Sequence, residues 1–377
     1  MTSFLLYIVS SVLLSIYSYG YLDFNLTLTQ NPIFLKFVAP LQRLVYFERF
    51  DSVRVYIVLL VLLFLGYIYF LLRSKLAKFP WKYFLIIIGI LTIAYPMMSY
   101  DLYNYMFHSK ILWFYHANPH IHAPLEFTGD LWLRFMRWVH TPSAYGPVFT
   151  VIESPAYLLG LGKFVPVLLL MKLTMSAFFV WVIYLIGQIT RKLGFTKQQQ
   201  VLTQLSIAFN PFIFLEVVVN GHNDAVMMAL FFWSLLYSLN SRLAPSIFSL
   251  LASAGTKYMT ILTLPIYFIK SPRFKVIFAT FAMLAPVVFL PGRFQPWYLV
   301  WSILPASLIG TSWSRLWIVL ASLAGLIYYI PYISTGFWLN SRPFVASIVY
   351  LPIALSMIYY FSQAMQSKKS NSSSLKT

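Results

Sequence analysis

Apolar residues fill this chain in long stretches separated by short polar or basic breaks. A helix needs about 20 apolar residues to cross the hydrocarbon core of a bilayer. Candidate runs fall near residues 4–19, 53–72, 82–99, 166–187, 199–219, 224–239, 244–256, 257–270, 275–291, 297–312, 315–333 and 343–361. Several are short for a simple crossing, and proline, glycine or polar residues interrupt them, as in broken helices that line a cavity. The runs do not alternate with the two-residue rhythm of a membrane β-barrel strand. The pattern predicts an all-α polytopic membrane protein with about 10–12 transmembrane helices. Residues 1–365 read as one intramembrane unit and the polar stretch 366–377 as a disordered cytoplasmic tail. The first run, FLLYIVSSVLLSIYS, has no basic n-region and no small-residue cleavage site, so it reads as a retained span.

Composition agrees: 60% of the 377 residues are hydrophobic, more than a soluble domain can hide. The net charge of +18 would suggest nucleic acid in a soluble protein. Here basic residues gather in alternate breaks, where they hold loops in the cytoplasm and touch anionic lipid, so no nucleic-acid partner is expected. With the N-terminus inside, Arg73, Lys75, Lys78 and Lys82 share a side with Arg191, Lys192, Lys197, Arg242, Lys270, Arg273, Lys275, Arg315 and the C-terminal lysines. This layout requires the run 148–162 to be re-entrant or interfacial, and 244–270 to turn near Lys257. All nine acids then lie at the outer side. Acids steer topology little, so their one-sidedness points to an outward-facing polar site. The chain has no cysteine, which excludes disulfides and thiolate metal sites.

Four polar islands carry candidate chemistry. YPMMSYDLYNYMFHSK opens the external loop of about 100–147. If Asp101 starts a helix there, Asn104, Tyr105, His108 and Tyr115 follow on one face. Asp101 then reads either as a helix cap or as a functional carboxylate at a cavity mouth. Beyond it, DLWLRFMRWVH has the look of an interfacial helix, as a lid or an anchor. The turn SAYGP presents Tyr145. NGHNDA supplies Asn220, His222, Asn223 and Asp224. A turn between spans is naturally polar, and His222 with Asp224 gives only two ligands for a metal. ASAGTKY sets Lys257 in apolar surroundings, where it must snorkel or meet an anion such as a phosphate. Small residues before it allow close backbone approach. PGRFQPWYLVW brings Arg293, Gln295, Trp297 and Tyr298 to another rim, part of which an aromatic belt explains. Lys172, within a span, has no role legible in the sequence. Together the islands offer a base for an incoming hydroxyl, cations for a departing phosphate and aromatic faces for sugar rings.

The ordered set SYDLYNYMFHSKILW, SAYGP, NGHNDA, KYMTILTLP and QPWYLVW resembles the prokaryotic polyprenyl-phosphate-mannose-dependent mannosyltransferases, which have the GT-C fold. The resemblance covers roughly residues 95–305. It implies a GT-C-like bundle with an outer-face cavity and interfacial helices in the first long external loop. It also implies a catalytic aspartate at the place of Asp101, and inverting transfer of a hexose, mannose by resemblance, from a polyprenyl-phosphate sugar to a hydroxyl outside the plasma membrane. One departure is the position two after Asp101, which is Tyr103 where GT-C members often carry a second acid. That favours a single base and no metal or other cofactor.

The expected assignment makes Asp101 the base, with Asn104 and His108 orienting it or the acceptor. Lys257 and Arg293 hold the donor phosphate. Tyr145, Asn220, His222, Asn223, Asp224, Gln295 and Trp297 line the sugar or acceptor pocket. Met227, Met228 and Phe231 either line a groove for the prenyl tail or simply pack. The partners are the lipid-linked donor, a glycan, lipid or protein hydroxyl, and membrane lipid. The rival is a transporter or flippase of lipid-linked sugar, which broken helices and buried cations also suit.

Overall fold

The computed structural model describes residues 2–73, 76–290 and 294–374. Among them every regular element is helical. In chain order these are α1 (Thr2–Ser18), α2 (Pro32–Tyr46), α3 (Arg49–Arg73), α4 (Trp81–Thr92), α5 (Asp101–Trp113), α6 (Pro147–Leu159), α7 (Phe164–Lys192) and α8 (Lys197–Ala208). There follow α9 (Pro211–Ile213), α10 (Asp224–Leu239), α11 (Leu243–Ala254), α12 (Pro272–Phe289), α13 (Leu299–Ser307), α14 (Ser312–Ile327), α15 (Ile330–Thr335) and α16 (Arg342–Ser374). Six of the described helical stretches are long and apolar enough to cross a membrane, or seven if α8 and the bent segment after it form one span. The protein is an all-α, multi-pass membrane protein. Other apolar runs form shorter helices, among them α4, α6, α10, α11 and the 3₁₀ helix Tyr258–Phe268. α6 has 13 residues and covers most of the run 148–162. α16 continues through Ser374 into the stretch expected as a tail.

Local sequence explains the breaks. Pro211 cannot donate a backbone hydrogen bond, and α8 ends before it. The Asn210 side chain caps the next turn, accepting from the amides of Phe212 at 3.0 Å and Ile213 at 3.3 Å. Tyr67 donates to the Ser206 carbonyl at 2.7 Å, and Tyr7 to that of Phe209 at 2.6 Å. Backbone groups freed at a break inside a membrane protein need such partners. The chain then continues as a π-helix, Phe214–Val219. This wider winding leads directly into the NGHNDA turn.

A second break produces the start of α5. After α4 the backbone leaves the helix through Ala94, Tyr95 and Pro96, as a proline demands of the residue before it. Lys172 of α7, a cation without a legible role in the sequence, donates to the carbonyls of Leu91, at 3.3 Å, and Ala94. It closes the carbonyl end of α4, where positive charge is favoured. The Asn220 side chain accepts from the amides of Met97 (3.3 Å) and Met98 (3.0 Å). The segment leading to Asp101 is thus fixed from two sides.

Candidate active site

Asp101 is the first residue of α5. The hydroxyl of Ser99 takes the hydrogen bond from the Asp101 amide at 3.2 Å. The carboxylate is therefore not the cap of its helix. Its Oδ2 instead accepts from the Tyr145 hydroxyl at 3.0 Å. Burial pushes the Asp101 carboxyl above the usual aspartate range, against the pull of Lys257 and the Tyr145 hydrogen bond. A carboxylate held this way has a raised proton affinity, which a general base requires.

A backbone crossing delivers Tyr145. The amide of Gly146 donates to the Thr256 carbonyl and that of Val148 to the Gly255 carbonyl, each at 3.0 Å. A β-carbon on Gly146 would lie 2.1 Å from the Gly255 oxygen. Only glycine permits this approach. The crossing joins SAYGP to ASAGTKY and sets Tyr145 beside Asp101 and Lys257 beside Asp224 at one stroke.

The NGHNDA turn packs against the same carboxylate. Gly221 has φ +72°, and a β-carbon there would press on Leu102 at 2.9 Å. The turn places the His222 ring between two acids, with Nδ1 3.7 Å from Asp101 Oδ2 and Nε2 3.4 Å from Glu216 Oε2. Trp297 stacks on the His222 ring at a centroid distance of 4.2 Å. Burial drives the His222 pKa down to about 3, Asp224 opposing and Lys257 assisting, so the ring is neutral. Glu216 accepts from Tyr329 at 2.6 Å and from Asn220 at 3.0 Å.

The predicted stripe on α5 exists in part. Asn104 and His108 follow Asp101 on the helix and are buried. The Asn104 oxygen, both His108 nitrogens and both polar atoms of the Asn223 amide have no hydrogen-bond partner within the protein. Burial, with His120 nearby, lowers the His108 pKa to about 3. Oδ2 of Asp224 likewise has no hydrogen-bond partner within the protein. Unpaired buried polar atoms are rare, and none of Asn104, His108 and Asn223 lines the cavity that Asp101 opens onto. Tyr115 lies beyond the end of α5 and bonds to Asp130 at 2.8 Å.

Three expectations change. Lys257 reads from the sequence as a cation awaiting a phosphate. Its ammonium lies 3.0 Å from Asp224 Oδ1 and over the rings of Trp301 and Tyr298. The anion is supplied by the protein itself. Asp224, expected in the sugar pocket, is fully buried and is held by Lys257 and the Trp301 indole. Arg293 lies outside the described residues. DLWLRFMRWVH, expected as an interfacial helix, contains only the five-residue 3₁₀ helix Leu131–Phe135.

That segment nevertheless contributes a residue with no assigned site role in the sequence. A cavity of about 450 Å³ is lined by Asp101, Arg137, Trp138, Gln295, Trp297 and Trp338, with other groups. Arg137 sits over the Tyr100 ring at 4.8 Å. The lining thus includes a carboxylate, a guanidinium and several aromatic rings. The only advance signal was two arginines among tryptophans. Met227, Met228 and Phe231 are fully buried and serve as packing. No group of three or more metal-ligating side chains occurs among the described residues.

Fold and site together define a multi-pass membrane protein with a carboxylate-bearing polar cavity. The family model described as alpha-(1->6)-mannopyranosyltransferase, N-terminal domain (MptA_B family), matches residues 10–271. The chain belongs to this family and is a glycosyltransferase of the GT-C mannosyltransferase type. Membership decides against the transporter. No curated protein and no solved structure gave a match.

Proposed function

We propose that this membrane mannosyltransferase takes its sugar from a polyprenyl-phosphate mannose and passes it, with inversion, to a hydroxyl acceptor on the extracytoplasmic side of the plasma membrane. The observation that carries the reading is the shared cavity of Asp101 and Arg137. A base and a phosphate-matching cation face one space of a volume typical for ligand sites.

Asp101 removes the proton of the acceptor hydroxyl as that oxygen attacks the anomeric carbon. The bond from that carbon to the phosphate oxygen breaks, and the phosphate leaves with the electron pair. Arg137 meets the departing phosphate in the bidentate geometry that guanidinium favours; Arg293, two residues before Gln295, is the second cation assigned there. Tyr145 keeps the carboxylate ionised and oriented. Asn104, His108, His222 and Asn223 hydrogen-bond the sugar and acceptor hydroxyls. Gln295 and Trp297 hold one sugar face. Lys257 and Asp224 hold each other and fix the NGHNDA turn. The family name specifies an α-(1→6) bond. An inverting enzyme that makes an α bond takes a β-linked donor.

The test is reconstitution of the full chain in lipid vesicles with polyprenyl-phosphate β-mannose and a mannoside acceptor. Formation of an α-(1→6) product is expected. Transfer from a nucleotide sugar but not from the lipid donor would contradict the reading.

A further inference from the structure

A second polar cavity, of about 420 Å³, lies at the far end of α10 from Asp224. Along that helix, Asp224 and Ser238 are separated by about 21 Å at 1.5 Å rise per residue. Arg242, Lys270 and Lys275 all line this cavity. Among the described residues no carboxylate lies within ion-pair distance of any of the three. Lys275 is not a loose surface cation: its ammonium donates to the Ser238 hydroxyl at 2.6 Å. That bond anchors the charge on the cavity wall. Pro272, the first residue of α12, lines the same space, and an 18-residue helix adds partial positive charge at its start.

The surroundings select the kind of anion. Leu243 is 60% exposed, Phe274 64% and Phe268 87%. Leu243 lines the cavity itself, and Phe268 and Phe274 are chain neighbours of its lining residues Ile269 and Lys275. Such an apolar collar, beside three cations without a carboxylate partner among the described residues, matches an anionic headgroup with hydrocarbon attached. Basic pockets between membrane helices bind such headgroups generally.

We propose that this cavity binds the phosphate of an anionic membrane lipid, at a site separate from the Asp101 cavity. The shared chemistry is a phosphate ester; the collar favours the lipid over a soluble source. The hydroxyl of Ser238 and the three cations form the phosphate cradle, and the collar takes the first part of the acyl chains.

The test uses the full chain purified in detergent. Native mass spectrometry reads phosphatidylglycerol bound per protein, with phosphatidylcholine as the neutral control. Wild type is compared with Arg242→Gln/Lys270→Gln/Lys275→Gln and with a control pair at the exposed end of α7, Arg191→Gln/Lys192→Gln. All are first matched for thermal unfolding, and Lys275→Gln alone substitutes if the triple variant does not fold. Affinity for phosphatidylglycerol is expected to fall at least about tenfold in the triple variant, three to several times less in Lys275→Gln alone, and under about twofold in the control pair. Equal retention by wild type and a folded cavity variant would overturn the site. An equal loss in the control pair would reduce it to diffuse surface charge and overturn it as well. Displacement of the lipid by millimolar inorganic phosphate would overturn the lipid assignment in favour of a soluble phosphate ester.

Discussion

Asp101 and Asp224 look alike in the sequence, and their environments differ in the one respect that decides their roles. Each opens a helix and each is buried. Asp224 has an ammonium 3.0 Å away and an indole N–H on the same oxygen. Asp101 has no Lys or Arg within ion-pair distance among the described residues; it has a tyrosine hydroxyl at 3.0 Å and a neutral imidazole at 3.7 Å. Only Asp101 lines the 450 Å³ cavity. The Lys257 pair occupies one Asp224 oxygen and fixes geometry, while Oδ2 has no partner within the protein. A carboxylate held by a hydroxyl keeps its affinity for a proton. Burial alone therefore does not single out a base; burial without a cation, beside an open space, is what supports the proposal for Asp101.

The comparison breaks most readily at Asp101. Mannosyl transfer by Asp101→Asn is expected to fall at least ~100-fold, the scale of a lost general base, in a vesicle assay. Its thermal unfolding temperature is expected to stay or rise. The folded pKa of Asp101 lies above the ordinary value, so the ionised group opposes folding above that ordinary value, and a neutral side chain removes the penalty. At Asp224 the expectation reverses. Asp224→Asn leaves the Lys257 ammonium without its carboxylate and is expected to lose about 3 kcal/mol of stability, measured by unfolding in detergent. Adding Lys257→Met should recover most of that loss. If Asp224→Asn is neutral, the pair has no architectural role.

Smaller effects sharpen the distinction. Tyr145→Phe removes a hydrogen bond that lowers the Asp101 pKa. The acid limb of the pH–rate profile should move to higher pH, and the rate near neutrality should fall about tenfold or less. An unmoved limb would separate Tyr145 from the base. Arg137→Gln is expected to raise KM for the lipid donor several-fold, with a smaller change in kcat, in steady-state kinetics. Equal losses in kcat and kcat/KM, with KM unchanged, would place the Arg137 contact in the transition state alone.

Much of this molecule is legible along the chain. Apolar runs predict most of the long helices, because membrane length is a local property. Asp101 stands out because a lone acid after an apolar run is costly without a purpose. SAYGP signals a turn and the small residues of ASAGTKY signal close backbone approach, though not that the two motifs meet each other. What the sequence hides is pairing across distance. Lys257 finds Asp224, 33 residues away, and Lys172 finds the end of α4, 78 residues from Ala94. No periodicity encodes such partners. Arg137 was hidden differently: its segment reads as an interfacial helix, and only the fold brings it to the cavity that Asp101 also lines.

The most direct measurement is mannosyl transfer per folded molecule by Asp101→Asn and Asp224→Asn, side by side with wild type, from polyprenyl-phosphate mannose in lipid vesicles. The account predicts that folded Asp101→Asn is nearly inactive, whereas the folded fraction of Asp224→Asn retains transfer within about tenfold of wild type. Wild-type transfer by Asp101→Asn would contradict it, and so would loss of transfer confined to a fully folded Asp224→Asn.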